Sequence, residues 1–310
     1  MSDSGPATTS KRVLVAGGSG FVGNEVTARL RQGGYEVVVL TRSKGSDDPN
    51  EEFWDGRTVG PWARRLEGAK AVINLAGAPV TLKWTEENKR LIKDSRVHST
   101  AAIGEGIRSC KLPPEVWINA SGISIYGDTG DTEVSETSPI GAGFLAEVSL
   151  AWERAQADAM APSTRKVRFR KGIVLGKGGG AFDELSKYTG WFLGGAQGSG
   201  RHWMSWIHIR DVAEAYIWAI ESDVEGPVNL VSPEPIRNAD FMAKLRAAMH
   251  RPWSPPAPEF AIKLVGMIRN IQADVVLESV RVKPDVLLKF GFPYNFPTLD
   301  EALADLVPPA

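Results

Sequence analysis

Three closely spaced glycines could bind a phosphate group. Gly17, Gly20 and Gly23 follow the apolar run at residues 12–16 and precede a helical pattern, which is the strand, loop and helix order of a dinucleotide site. Glycine lets the backbone approach a pyrophosphate, and the first amides of the next helix can donate to it. The GxxGxxG spacing differs from the more common GxGxxG, and glycine clusters also occur in plain turns. The predicted phosphate contacts are Gly17, Ser19, Gly20, Phe21, Val22 and Gly23.

Arg42 indicates which dinucleotide the loop would bind. It follows the apolar run at residues 37–41, where an Asp or Glu usually holds the 2′-hydroxyl of the adenosine ribose. A guanidinium there suits a 2′-phosphate, and Lys44 adds a second positive charge. We therefore predict NADP as the cofactor, with Thr41 and Arg42 beside the ribose. The alternative is a solvated arginine in a strand-to-loop turn.

The elements that must position these residues alternate between strand-like and helix-like patterns. Apolar runs at residues 71–79 and 116–122 end in small or polar residues, and helical patterns lie between them. This alternation predicts a Rossmann-type, doubly wound parallel sheet of the α/β class, with a smaller, mostly helical C-terminal substrate lobe. Ligands bind beyond the carboxyl ends of such strands. Further cofactor contacts predicted at these ends are Asp55, Leu75, Ala76, Gly77 and Val174.

Arg96 is predicted to point inward from a long helix at residues 86–109. It shares one helical face with Ile92, Ser99 and Ile103, at spacings of three or four residues. A buried guanidinium needs an anion, and the sequence leaves two candidates, an acidic core residue or a cofactor phosphate. With the second candidate, Arg96 joins the predicted cofactor contacts.

Charge and cysteine content exclude several classes of protein. The 310-residue chain has 36 Lys and Arg against 37 Asp and Glu, so no global field favours nucleic acid or an anionic membrane. A small molecule is the expected partner, and the sequence identifies no protein partner. The single cysteine, Cys110, excludes an intramolecular disulfide framework and fits a reducing, cytoplasmic compartment. The four histidines show no metal-ligand spacing, so no metal site is predicted.

The chain divides into three predicted parts. Residues 1–10 lack an apolar core and a basic start, so we expect a frayed tail rather than a signal peptide or a membrane anchor. Residues 11–175 are predicted to form the NADP-binding Rossmann domain, although later segments also return to its sheet. Residues 176–310 are predicted to form the substrate lobe and a helical C-terminal extension, and residues 190–206 are expected pocket walls.

Motifs spread over residues 11–303 resemble those of one family. The chain resembles the extended or atypical short-chain dehydrogenase/reductases, in the branch of NAD(P)-dependent, epimerase-like proteins that carry a C-terminal domain of unknown function. The resemblance implies a Rossmann domain that binds NADP and a substrate pocket formed by residues 175–240 and the C-terminal piece, without implying the substrate. The motifs are the glycines at 17–23, Asn74-Leu75-Ala76-Gly77, Asp94-Ser95-Arg96 with Ser99-Thr100, Tyr126-Gly127-Asp128, Gly172-Ile173-Val174-Leu175-Gly176, Met204 to Ile209, Ser232 to Asn238, and Gly291-Phe292 with Tyr294 to Leu299.

The proton-transfer residues of that superfamily are degraded in this chain. In the superfamily a Ser or Thr and a YxxxK pair support hydride transfer, with the Tyr as acid or base and the Lys lowering the pKa of the Tyr. Counting along the chain places Leu145 and Ser149 at the Tyr and Lys positions, and Gly122 at the Ser position. None of these residues can perform the usual role.

Neighbouring hydroxyl groups are the predicted catalytic replacements. Ser121, Ser124 and Tyr126 follow the strand that normally carries the catalytic Ser. A tyrosine without a nearby cation keeps a pKa close to about 10, so Lys171 or Arg96 would have to assist Tyr126. The alternative is that Tyr126 packs in a turn and that Ser121 satisfies hydrogen bonds at the strand end.

Two functions fit these patterns. The first is an NADP-dependent oxidoreductase or epimerase that acts on a small polar substrate, for which a sugar nucleotide is one candidate. The second is a non-catalytic NADP-binding sensor or scaffold protein, because the Tyr and Lys are lost. Near the predicted pocket, His208 is expected to be structural and Asp211 to cap the helix at residues 210–221.

Overall fold

A seven-stranded parallel sheet forms the centre of the computed structural model, which describes residues 10–43, 48–269, 272 and 277–307. Its strand order is β11-β7-β5-β4-β1-β2-β3, and the remaining strands pair in short two-stranded sheets. In chain order the strands are β1 (Arg12–Ala16), β2 (Glu36–Thr41), β3 (Glu51–Phe53), β4 (Ala71–Asn74), β5 (Val116–Gly122), β6 (Glu133–Val134), β7 (Arg165–Lys171), β8 (Ile173–Leu175), β9 (Trp203–Met204), β10 (Trp206–His208), β11 (Gly226–Leu230), β12 (Ile236–Arg237) and β13 (Arg281–Val282).

Helices cover both faces of the central sheet. Helix α1 packs with α5 on one face, and α2 packs with α3 on the other. In chain order the helices are α1 (Phe21–Gln32), α2 (Glu86–Arg108), α3 (Phe144–Ala157), α4 (Gly180–Gly190), α5 (Ile209–Glu221), α6 (Asn238–Ala248), α7 (Glu259–Ile268), α8 (Asp285–Lys289) and α9 (Leu299–Leu306).

The sheet forms around strands that are apolar on both faces, namely β1, β2 and β4. Val13 and Val15 contribute to the core beside α1, whereas Leu14 and Ala16 face α2, and all four side chains are fully buried. Runs of this kind are typical of parallel strands covered by helices on both sides. The predicted Rossmann-type α/β fold is confirmed, and the carboxyl ends of its strands meet at one edge of the sheet.

One predicted strand is divided in two. The sequence predicts one continuous strand from Lys166 to Leu175, but β7 ends at Lys171 and β8 pairs with β10 instead. Gly172 is the junction, because its N–H donates to the carbonyl of Leu230 while the next N–H, of Ile173, donates to the carbonyl of Ser205. A side-chain carbon at Gly172 would overlap that Ser205 carbonyl, so only glycine allows the change of partner strand.

A second core lies outside the central sheet. Phe182 of α4, Phe241 of α6 and Leu303 of α9 are buried together in it. Helix α9 begins with a capping box in which Thr298 and Glu301 satisfy each other's backbone N–H groups. Helices α6 and α9 therefore form a compact helical layer C-terminal to β10.

Two predictions fall outside the described residues. Lys44 and residues 1–9 of the predicted tail have no description in the structure. Across the ranges that are described, no helix is both long enough and apolar enough to cross a membrane.

Candidate cofactor and substrate site

The glycine turn leaves the amino end of α1 open to an anion. Gly17 has a φ of 79°, and a side-chain carbon there would lie 3.0 Å from the backbone carbon of Leu75. A side chain at Gly23 would overlap the carbonyl oxygen of Gly17, so the helix can begin this close to β1 only with glycine. Ser19 and Gly20 are exposed, no side chain caps α1, and its first turn has no acidic residue. The free amides therefore face the solvent side of the turn.

Phe21 joins the glycine turn to a second glycine-rich loop. A side-chain carbon at Gly179 would lie 3.0 Å from Cδ2 of Phe21, and one at Gly180 would lie 2.9 Å from its Cε1. The ring therefore lies directly on residues 176–180, which follow Val174 in the chain. Val22, by contrast, packs against the sheet core. The sequence shows both loops, but it does not show that Phe21 connects them.

Arg42 lies exposed immediately after β2, at the carboxyl edge of the sheet. It forms no ion pair with any residue in the described ranges, so its guanidinium is available to a ligand. The hydroxyl of Thr41 accepts the N–H of Ser43 at 3.1 Å and shapes the turn that presents Arg42.

The Asp55 carboxylate holds its own turn. It accepts the N–H groups of Arg57 and Thr58, both at 2.8 Å, and the Thr58 hydroxyl at 2.6 Å. These hydrogen bonds lower the pKa of Asp55 to about 2. The main role of the Asp55 side chain is therefore to hold the loop after β3, and any contact with a ligand would be additional.

A buried amide network fixes the loop after β4. The Asn74 side chain donates to Asn119 at 2.9 Å and to Thr100 at 3.0 Å, and its oxygen accepts the N–H of Ala76 at 3.1 Å. Leu75 and Ala76 are half-buried and Gly77 is exposed. The backbone from Leu75 to Gly77 is thus held at the same edge as the glycine turn.

Arg96 is buried beneath that loop. Its side chain is 9% exposed, its Nη1 donates to the carbonyls of Ala78 at 2.9 Å and Ile92 at 2.8 Å, and its Cζ lies 4.9 Å from the Trp152 ring centre. Burial lowers the pKa of Arg96 to about 10. The acidic core partner that the sequence allowed is not found within the described ranges.

Ser121 and Tyr126 belong to a buried hydrogen-bond network. Ser121 donates to Glu153 at 2.8 Å, while the Tyr126 hydroxyl donates to Asn229 at 2.6 Å and accepts from Arg170 at 2.9 Å. Arg170 and Glu153 form a bidentate ion pair at 2.8 and 2.9 Å. Arg170 is therefore the cation beside the tyrosine, and the expectation of Lys171 or Arg96 there was wrong. Burial dominates and raises the pKa of Tyr126.

The hydroxyl of Ser124 is more accessible than those of its two predicted companions. Ser124 is half-buried, and a side-chain carbon at Gly122 would lie 3.2 Å from its Oγ and 3.8 Å from the Oγ of Ser149. Ser149 is the residue at the usual Lys position. Two hydroxyls therefore flank Gly122 at the carboxyl end of β5.

A cavity of about 390 Å³ lies next to the usual Tyr position. Leu145 lines it, and Trp84 and Phe144 form one wall with ring centres 5.0 Å apart. Asp128 and Glu278 supply carboxylates, and burial raises the pKa of Glu278. The aromatic and acidic lining is suited to a small polar molecule. Sequence reasoning missed this cavity because its walls come from segments far apart in the chain.

His208, rather than Asp211, caps α5. The His208 Nδ1 accepts the N–H of Arg210 at 3.2 Å. The Asp211 carboxylate instead accepts the N–H of Asn295 at 2.8 Å and that of Phe296 at 3.0 Å. The predicted Asp211 cap was therefore wrong, because the C-terminal segment provides donors that the local sequence does not show.

The fold and the site define a dinucleotide-binding protein of the Rossmann class. Its residues 13–144 match the NAD dependent epimerase/dehydratase family, and residues 257–306 match a domain of unknown function, DUF1731. An epimerase family protein of Staphylococcus epidermidis is 34% identical over 302 residues, which cover 96% of this chain and 99% of that protein. The chain belongs to this epimerase family, which confirms the resemblance inferred from its motifs.

Solved structures agree with this assignment. The human epimerase family protein SDR39U1, crystallised with NADPH, has a TM-score of 0.86 and 33% identity, over 96% of this chain and 99% of the human one. A nucleoside-diphosphate sugar epimerase from Corynebacterium glutamicum has a TM-score of 0.77 and 32% identity, over 96% of this chain and 58% of that one.

Proposed function

We propose that the protein binds NADPH and acts as an oxidoreductase or epimerase on a small polar substrate. The observation that carries this proposal is the open glycine turn at α1 together with the exposed Arg42 after β2, which pairs with no acidic residue in the described ranges. The turn supplies amide donors for a pyrophosphate, and Arg42 supplies a positive charge for the 2′-phosphate that distinguishes NADP from NAD. The NADPH in the human relative's crystal structure supports the same cofactor.

The residues present fit this cofactor. The glycine turn, Thr41, the loop from Leu75 to Gly77 and the chain at Val174 would surround it, while Val22 and Asp55 would act through the shape of their helix and turn. Because Arg42 marks the adenosine end beside β2, the nicotinamide end falls over β4, β5 and β7.

Catalysis would use the hydroxyl groups near β5. The nicotinamide supplies or accepts a hydride when the cofactor is bound. Ser124 is proposed to hydrogen-bond the substrate oxygen that gains or loses a proton, since it is the most accessible of the three predicted hydroxyls. Ser121 and Tyr126 are proposed to position β5 through Glu153 and Arg170.

Arg42→Ala tests the cofactor assignment. The substitution removes the charge proposed for the 2′-phosphate, so we expect the Kd for NADPH to rise at least about tenfold, or about 1.4 kcal/mol, with little change for NADH. Fluorescence titration of both cofactors measures this difference. Arg90→Ala, which removes an exposed arginine from α2, is the matched control. Equal weakening of NADPH and NADH by Arg42→Ala would contradict the assignment.

A non-catalytic NADPH sensor or scaffold is the second candidate. Leu145 at the usual Tyr position and the buried hydrogen bonds of Tyr126 favour it, because both remove the ordinary proton-transfer group. This function predicts tight NADPH binding without oxidation of the cofactor by any carbonyl substrate. Sustained NADPH turnover, followed by absorbance with a panel of carbonyl compounds, would exclude it.

A further inference from the structure

Among the described residues, Arg96 and Lys171 are two cations without a counter-ion at the carboxyl edge of the sheet. Apart from the two carbonyls bound by its Nη1, Arg96 has no acceptor among the residues that the structure describes. Lys171 ends β7, opposite Gly122 in the register with β5, and within the same ranges its ammonium group has neither a hydrogen bond nor an ion pair. Glu153 of α3, which faces β7, is already held by Arg170.

Burial makes the proximity of these two positive charges unfavourable in free energy when no anion is bound. Desolvation and the charge of Arg96 together lower the pKa of Lys171 to about 8. Two desolvated like charges raise each other's free energy, and an anion placed between them would offset that cost. Arg96 is buried and Lys171 is half-buried, and two such cations without an acidic partner in the described ranges favour a binding site for an anion.

The position of the pair separates it from the cofactor phosphates. The sheet order runs β7-β5-β4-β1, so Lys171 ends a strand that is three positions from the glycine turn. At a strand spacing of about 4.8 Å, the two strands lie about 14 Å apart. Arg42 lies on the opposite side of β1, after β2. The phosphates of the cofactor belong to α1 and Arg42, whereas Arg96 lies beneath the loop after β4 and Lys171 ends β7, both on the nicotinamide side of β1.

We infer that Arg96 and Lys171 bind a carboxylate of the substrate beside the nicotinamide. The inference rests on the proposed function and narrows its small polar substrate to an organic acid. A carboxylate matches the donors that remain, because the free edge of a guanidinium holds two oxygens in a plane and an ammonium adds a point charge. Ser124 and Ser149, which flank Gly122, lie on the neighbouring strand end and helix.

The test uses the full chain saturated with NADP⁺. Lysines are reductively methylated with ¹³C, the Lys171 signal is assigned by its loss in Lys171→Met, and the protein is titrated with D-glucuronate or with D-glucose as the neutral control. We expect glucuronate, but not glucose, to shift the Lys171 signal and raise its pKa by at least about one unit. We also expect Lys171→Met to weaken glucuronate binding at least about tenfold.

Control variants separate a charge effect from a folding effect. Lys171→Arg keeps the charge and should retain glucuronate binding, whereas Lys93→Met removes an exposed lysine from α2 and should leave it unchanged. The inference fails if glucuronate binds Lys171→Met as well as the native chain, if it displaces NADP⁺, or if the Lys171 signal does not respond to it. Absence of NADPH binding would instead overturn the proposed function, and the inference with it.

Discussion

Tyr126 is a predicted catalytic residue whose hydroxyl is held in a buried hydrogen-bond network. Its hydroxyl lies between Asn229 and Arg170, and its side chain is 4% exposed. A proton could reach a substrate from this hydroxyl only if the network opened. The tyrosine therefore has a structural task that its position in the sequence does not reveal.

Tyr126→Phe should lower stability more than it lowers activity. The change leaves the Asn229 amide oxygen and one Arg170 donor unpaired in a buried site, so we expect the free energy of unfolding to fall by about 1–3 kcal/mol. Urea denaturation measures the loss. Tyr35→Phe, which removes a hydroxyl bound to the exposed Glu221, should cost less. A rate loss of tenfold or more with unchanged stability would give Tyr126 a direct role in the reaction.

The sequence predicts groups whose partners lie nearby in the chain better than it predicts contacts between residues that are far apart in the chain. The glycine turn and Arg42 are readable because their partners lie within a few residues or belong to the ligand. The pairing of Arg170 with Glu153 depends on how α3 packs across β5 and β7, which no local spacing encodes. For the same reason the cation beside Tyr126 was assigned to the wrong residue.

At the scale of elements, the contact between Phe21 and residues 176–180 joins the first helix to the segment that leaves the sheet. Gly180 begins α4 with a φ of 73°, and a side-chain carbon there would lie 2.9 Å from the Phe21 ring. A shift of this loop would move Phe21 and, with it, the amides of the glycine turn.

Gly180→Ala should therefore weaken NADPH binding. Alanine disfavours this backbone conformation by about 1–2 kcal/mol, and its methyl group would push on Phe21. We expect the Kd for NADPH to rise at least about fivefold, measured by fluorescence titration. Gly190→Ala at the other end of α4 has nothing within 4 Å of the added carbon and should leave the Kd unchanged. A similar rise in the Kd for NADPH in both variants would contradict a link between this loop and cofactor binding.

Strands β1, β2, β4 and β5 were predictable as elements because each is a largely apolar run. The end of β7 was not, since the strand-like pattern continues through Ile173 to Leu175. Only the hydrogen bonds on either side of Gly172 show that the chain changes partner there. Composition alone cannot locate a change of sheet inside a single apolar segment.

At the scale of the whole molecule, His208 connects the C-terminal segment to the rest of the protein. Its ring lies 3.9 Å from the ring centre of Phe296, and its Nε2 lies 3.4 Å from the Asp305 carboxylate on α9. Burial outweighs the attraction of Asp305 and lowers the pKa of His208 to about 4. The neutral imidazole is therefore the form that the folded protein holds.

Stability should decline as the pH falls from about 6.5 towards 4. The unfolded chain protonates His208 near its ordinary pKa, whereas the folded chain resists protonation, so the contribution is fully present above about 6.5 and is lost below it. Because of His208 alone, the free energy of unfolding measured across this pH range should fall by more than about 1 kcal/mol. His208→Gln should flatten the decline and His98→Gln should not. An identical pH profile in His208→Gln would refute the linkage.

Because β11 returns to the central sheet, the chain cannot be truncated at residue 175 without removing a strand of that sheet. Residues 226–230 pair with β7 along its outer edge, although they lie more than fifty residues beyond the predicted boundary at 175. A fragment that stopped at residue 175 would expose the backbone N–H and carbonyl groups of β7 as a bare template for another chain. We expect such a fragment to aggregate rather than to fold as an independent module.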